Sequence, residues 1–257
     1  MSANWLQEKS WPQVAKYLES DNRILLPVGS TEQHGIFSPL GTDTYVALTL
    51  AEEASDRTGV LSAPGLWFGW SPHHLVRPGT ISIRAEVLIE VLSDLIKSLA
   101  EHGFTRFCVV NGHRIVNIPW MQIAAERAQR EFKVKIVLFD PAYMSKEIHP
   151  RLGFGPIGHA EDIETSHMLH RYPHFIDLGK AGDNPPQERL HYHLDPNDPR
   201  DTLCYVPATR EDLAKTLAGT GDCVGGTPTR SSAEKGKAYH DHLVARLIEV
   251  LDWLKRN

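Results

Sequence analysis

The chain has 257 residues, 41% of them hydrophobic and 23% charged, with a formal net charge of −5. That balance predicts a soluble globular protein holding one large α/β domain or two small ones. It excludes an electrostatic footprint for nucleic acid, since no Lys/Arg block or basic stripe is present, and no apolar run approaches the roughly 18 residues that span a bilayer.

Residues 23–28, RILLPV, form a short apolar run that reads as a buried strand. Apolar spacing at Val46, Ala47, Leu50 and Ala54 predicts a helix over 43–58, with Asp43 as its N-cap. Short strands are expected at 60–63 and, in TISIR, at 80–84. Residues 85–102 carry the clearest amphipathic pattern and stop at Gly103. A strand at 106–110, a helix at 117–132, a strand at 134–139, a helix at 161–172 and a short strand at 176–179 follow. The stretch 182–230 is rich in Pro, Gly and Asp, with a helical candidate only at 210–217, and a last helix runs from about 232 to 255. This strand–helix alternation predicts a mostly parallel sheet covered by helices, in a single domain over 1–257.

The beginning, MSANWLQEKSWPQ, lacks the charged-then-apolar order of a secretory signal. Cys108, Cys204 and Cys223 are scattered, odd in number and without CxxC spacing. They argue against a disulfide framework or a thiolate metal site and for a cytoplasmic setting.

Polar residues gather where strands hand over to loops, the edge at which open α/β sheets carry function. Glu32 and His34 follow the first strand, and Asp43 lies in the same connection. His113 follows the strand at 106–110, while His159 and Glu164 sit at the start of a later helix. Mixed carboxylate and imidazole donors suit Zn²⁺, Mn²⁺ or Fe²⁺. Three carboxylates with two histidines exceed the needs of one tetrahedral ion and fit two ions about 3.5–4 Å apart. Asp43, at a helix start, is the expected bridge. Such a pair acidifies water and polarises a carbonyl, which is the chemistry of a hydrolase.

The segments PVGSTEQHG…PLGTD, HHLVRPGTISI, VVNGH…N and GHAEDIETS, with the tail VGGTPTRSSAEKGKAY, resemble the signature blocks of the creatininase family. The resemblance runs from about residue 22 to 245. It implies a Rossmann-like, three-layer α/β/α sandwich, two divalent metal ions per subunit and hydrolysis of a small polar cyclic amide or a formamide. It also implies a homohexamer built as a trimer of dimers. Carried over, Glu32, His34, Asp43, His113 and Glu164 match metal ligands, and His159 matches a proton-shuttling histidine. Hydrolytic C–C opening of a cyclic polyhydroxy diketone is the alternative reaction, and a non-catalytic metal-binding protein the alternative of another class.

Two departures stand out. The family's NGHGGN is here Asn111-Gly112-His113-Arg114-Ile115-Val116-Asn117. Either the backbone follows another path or the loop needs no left-handed residue. Some family members carry a ligand carboxylate two residues after this histidine; Ile115 cannot serve, so the role passes to Glu164. Arg114 then either binds an electron-rich group of the substrate or is a solvated loop cation. The first block also has Ile36-Phe37-Ser38 in place of a Pro-His-Leu run, at the expected pocket mouth. Trp67-Phe68-Gly69-Trp70, followed by Ser71, is expected to wall a pocket for a flat ring, with Trp70 and Ser71 on the substrate. His191 and His193 are expected to be loop or subunit-contact residues.

Overall fold

In a computed structural model of the chain, residues 4–185, 209–211 and 224–257 are described. Strand β1 (Arg23–Val28) is buried along its whole length, as a central parallel strand of branched apolar residues must be. It pairs with β2 (Leu61–Ser62) on one side and β3 (Arg106–Asn111) on the other. β4 (Lys135–Phe139) completes a parallel sheet in the order β2–β1–β3–β4.

Alternation along the strands divides the interior into two cores. Leu25, Cys108 and Val110 face a core shared with α2 (Thr42–Thr58) and the C-terminal helix α7 (Ala233–Arg256). Ile24, Leu26, Phe107 and Val109 face the other way. They pack against α3 (Ala85–Glu101) and α4 (Ile118–Phe132), with α1 (Trp11–Leu18) at the edge. The result is a three-layer α/β/α sandwich. The short α5 (Pro141–Met144) and α6 (Asp162–Arg171) follow β4, and α6 lies on α7. That crossing is close enough that a Cβ on Gly236 would stand 1.8 Å from the Ser166 carbonyl oxygen.

Several expectations need correction. Gly41, not Asp43, is the N-cap of α2, and Asp43 lies inside the first turn, where its side chain is buried. TISIR is not a sheet strand: Ile81 and Ser82 make isolated bridges to Thr31 and Gly69. Residues 178–180 form a 3₁₀ turn rather than a strand. Helix α1 was not anticipated, because its exposed Trp11 and the following Pro12 obscure the apolar spacing. Of the helical candidate at 210–217 only the first two residues are described, and His191, His193, Cys204 and Cys223 also lie outside the described residues. No described helix is long and apolar enough to cross a membrane.

Candidate metal centre

The C-terminal ends of β1 and β3 lie side by side, with Val28 opposite Asn111. The chain runs from β1 to β2 on one side and returns to β3 on the other, so this is the topological switch point of the sheet. The segment after β1 supplies Glu32 and His34, and the first turn of α2 supplies Asp43. The segment after β3 supplies His113 and Arg114. Glu164, from the first turn of α6, closes the group.

Contacts with backbone set the spacing. A Cβ on Gly112 would stand 1.8 Å from the Asp43 carbonyl oxygen, and one on Gly29 would stand 2.4 Å from Thr44 Cα. Glycine at both positions lets the start of α2 press onto the two strand ends.

The loop after β3 is held from beneath. Asp140 accepts hydrogen bonds from Asn111 Nδ2 and from the Ile115 amide, each at 2.8 Å. Ile115 has a φ of 65°, so the loop does keep a left-handed residue although no glycine is there. A β-branched residue in that region costs on the order of 1–3 kcal/mol, which the Asp140 grip and packing of Ile115 on the core offset.

Asp43 is the hub. Its Oδ1 lies 3.2 Å from His34 Nε2, and its Oδ2 lies 3.0 Å from His113 Nδ1. Glu32 Oε2 faces His113 Nε2 at 3.4 Å, and Glu164 Oε2 faces His34 Nε2 at 3.6 Å. Donors within reach of one another therefore form three overlapping groups among the described residues: Glu32, Asp43 and His113; His34, His159 and Glu164; and Glu32, His74 and His159. Asp43 links the first to the second through its 3.2 Å approach to His34. Both oxygens of Glu32, His34 Nε2 and Asp43 Oδ2 are buried and make no hydrogen bond. Orphaned buried acceptors are costly, and converging ones of this type fit divalent cations with mixed N/O ligation.

Electrostatics agree. Burial, reinforced by Asp43, pushes the Glu32 carboxyl up to about 7 against the pull of His113 and His34. Burial disfavours charge on His34 and His113, but the facing carboxylates outweigh it and raise them to about 10 and about 9. Burial also opposes charge on Asp43, yet the two histidines hold it below the usual carboxylate range. Divalent cations would satisfy the same carboxylate field with neutral imidazoles, releasing protons as they bind.

His159 stands at the open side, its side chain 18% exposed. Its Nε2 lies 2.6 Å from the Gln33 carbonyl oxygen and 3.0 Å from the Gln33 side-chain nitrogen; the carbonyl can only accept, and the shorter contact assigns the proton to Nε2. The bare Nδ1 then faces Glu32 Oε1 at 3.6 Å. Burial and the neighbouring His34 keep this imidazole well below its ordinary pKa.

Three neighbours were missed by sequence reasoning. Gln33 accepts the Gly35 amide through Oε1, so its NH₂ points at His74 Nδ1, 2.8 Å away. The His74 proton is thereby placed on Nε2, which faces Glu32 Oε1 at 3.3 Å. The approach is not a hydrogen bond, since both Glu32 oxygens are without one; His74 instead joins Glu32 and His159 as a third group of possible metal donors. Its signal was the double histidine in PHHLVRPGT. Glu161 gave no signal of its own beyond its place in GHAEDIETS.

Other expected site residues lie differently. Arg114 is not a solvated cation: it is buried, and two protein carboxylates, Glu161 and Glu164, hold its guanidinium. Ser71 is fully buried behind His113, its hydroxyl hydrogen-bonded with that of Ser30 at 2.7 Å. Trp70 is partly buried against the second core, whereas Trp67 and Phe68 are exposed. Phe37 turns inward onto Ala160 and Val224, leaving Ile36 outside.

The sequence model of the creatininase family, described as creatinine amidohydrolase, matches residues 7–251. This chain belongs to the creatininase family. It is 30% identical over 192 residues to the 3-dehydro-scyllo-inosose hydrolase of Thermotoga maritima, a match covering 71% of this chain and 61% of that protein. It is 31% identical over 217 residues to the creatinine amidohydrolase of Pseudomonas putida, covering 76% and 82%. A creatininase crystal structure superposes with a TM-score of 0.80 at 24% identity, over 97% of this chain and 96% of that one, and shows the shared fold. Creatininase structures of Zn–Zn and Mn type superpose at a TM-score of 0.78, with 26% and 25% identity over 98% and 97% of each chain. The expectation of a metal-dependent, amidohydrolase-like enzyme stands with this family membership.

Proposed function

We propose that this creatininase-family chain is a binuclear hydrolase that opens a small polar cyclic amide or cleaves a formamide. The observation that carries the reading is Asp43, whose two oxygens face two different histidines at 3.2 and 3.0 Å. Glu32, Asp43 and His113 would hold one divalent cation, and His34, Asp43 and Glu164 the other, with zinc, manganese or iron compatible with the donors. Bound cations would supply an acidified water and a polarised substrate carbonyl. His159, with its proton on the Nε2 that lies 2.6 Å from the Gln33 carbonyl, offers Nδ1 to accept a proton from the attacking water. It returns that proton to the leaving nitrogen as the C–N bond breaks. His74 Nε2 stands 3.3 Å from Glu32, and Ser71 contacts His113 from the protein side.

A second reading is hydrolytic C–C opening of a cyclic polyhydroxy diketone. The similarity to a 3-dehydro-scyllo-inosose hydrolase favours it. Exposed apolar side chains at Trp67, Phe68, Leu75, Ile81 and Phe175 support the proposed assembly with further copies as a hexamer. Light scattering tests the assembly, and cytoplasmic residence belongs to the same proposal.

Metal analysis of the purified protein tests the centre. About two equivalents per chain are expected, both lost in Asp43→Ala. Assays with the bound metal against creatinine-like lactams, hydantoins, formamides and cyclic polyhydroxy ketones then separate the two reactions. Two bound metals with no turnover on any of these would favour a non-catalytic metal-binding protein.

A further inference from the structure

Arg114 is buried rather than solvated, and protein carboxylates hold two of its three nitrogens. It is 6% exposed. Its Nη2 donates to Glu161 Oε1 at 2.6 Å and lies 2.7 Å from Glu164 Oε1, to which Nε also donates at 3.1 Å. The other oxygen of Glu164 accepts the Ala160 amide at 2.8 Å and faces His34 Nε2 at 3.6 Å. One carboxylate is thus shared between a fixed protein cation and the second metal position.

The carboxylate that pairs with the guanidinium is itself packed in place. Glu161 is fully buried, and a Cβ on the adjacent Gly226 would stand 2.2 Å from Glu161 Cβ. The other set differs in kind. Among the described residues the positive partners of Glu32, Asp43 and His113 are imidazoles, which are themselves metal-ligating groups, and no guanidinium or ammonium is paired with them. An arginine cannot be deprotonated in a protein. Its charge remains beside the incoming cation, in a buried setting where like-charge repulsion is weakly screened.

We infer that Arg114 is a resident cation that makes the two metal positions unequal. The Glu32–Asp43–His113 position binds tightly, and the His34–Asp43–Glu164 position binds weakly and exchanges. Arg114 acts through Glu164 and is a positioning residue. The inference rests on the binuclear reading given above.

The test is equilibrium Mn²⁺ titration of the metal-stripped, full-length protein, by calorimetry and by counting free Mn²⁺ with electron paramagnetic resonance. Wild type is expected to show two classes of site at least tenfold apart in Kd. Glu164→Gln should weaken or remove the weak class and leave the tight one in place. Arg114→Gln keeps a hydrogen-bonding side chain without the charge, and should bring the classes within about threefold by tightening the weak one. Arg114→Lys, which keeps the charge, should restore the gap. Equal affinities in wild type would overturn the inference and leave the binuclear centre standing, as would an unchanged gap in Arg114→Gln. If the Gln variant does not fold, wild type and Glu164→Gln still decide: loss of the tight class in Glu164→Gln overturns the assignment. Absence of any bound Mn²⁺ in wild type overturns the centre itself and this inference with it.

Discussion

Among the described residues, the metal centre and a second buried group of histidines with a carboxylate are built in opposite ways. In the seam between α6 and α7, His167 Nε2 meets His240 Nδ1 at 2.8 Å, and His240 Nε2 meets Glu53 Oε2 at 2.8 Å. Glu53 accepts, so His240 carries its proton on Nε2, and His167 must then donate through its own Nε2. The chain is linear and ends at a partly exposed carboxylate flanked by Arg57 and Arg171. Of its ring nitrogens, His167 Nδ1 is left without a hydrogen bond. At the metal centre the groups converge instead. Acceptors face one another around shared points, and Glu32, His34 and Asp43 keep orphaned atoms. Histidine-rich burial is thus common to both clusters and says little. Convergent orphaned acceptors distinguish a site that takes a cation from a seam that holds helices together.

Substitutions should separate the two regions. The largest effect is expected from Asp43→Ala. Each cation should stabilise wild type by about 2.7 kcal/mol when present at a hundredfold excess over its Kd. The variant should lose that gain, as read by thermal denaturation with metal and with chelator. An equal metal-induced shift in both proteins would remove Asp43 from the centre. Next, His159→Ala should lower kcat by about 10²–10⁴ while metal content stays at the wild-type value. A variant that loses metal in step with activity would make His159 a ligand instead.

The seam predicts a pH effect. Burial lowers His240 to about 4, with Arg171 and His170 adding to the shift and Glu53 opposing it. In the unfolded chain the same imidazole titrates near 6.5, so the unfolded state takes up the proton first as pH falls. The contribution is fully present above pH 6.5 and is lost progressively down to about pH 4. It should amount to about 1–3 kcal/mol, with His167 sloping the same way. Urea denaturation at pH 7.5 and 5 should show a shallower loss in His240→Gln than in wild type. The same slope in both would show that the seam histidines do not carry it. Finally, Gly236→Ala should cost about 1–3 kcal/mol by overpacking α7 against Ser166, with metal stoichiometry retained. A metal loss there would mean that the seam and the centre move together.

Much of this was legible in the sequence, for identifiable reasons. β1, α3 and α7 follow from apolar runs and helical spacing long enough to be unambiguous. The gathering of Glu32, His34, Asp43 and His113 follows from strand ends in a parallel sheet, because that topology fixes which loops share an edge. TISIR failed because alternation shows which residues suit an extended backbone, not whether a neighbouring strand is there. Ile81 and Ser82 find only the passing segments at Thr31 and Gly69. The partners of Arg114 were hidden for another reason. Glu161 lies 47 residues away, and an arginine in a loop looks alike whether it faces solvent or a buried carboxylate. His74 was visible as a residue, but its role depends on the orientation of the Gln33 amide, which composition cannot give.

The glycines at 29 and 112 carry a consequence for anyone reshaping this protein. The seat of Asp43 is set where α2 rests on the strand ends, in addition to the packing of Val46, Ala47 and Leu50 in the first core. Leucines and valines exchanged for others of similar volume away from α2 should leave the calibration of the centre intact. A single added methyl group at either glycine would throw it out of true. Tolerance and fragility are here sorted by place, and a library built on this scaffold should vary its oily interior away from α2 and leave those two positions alone.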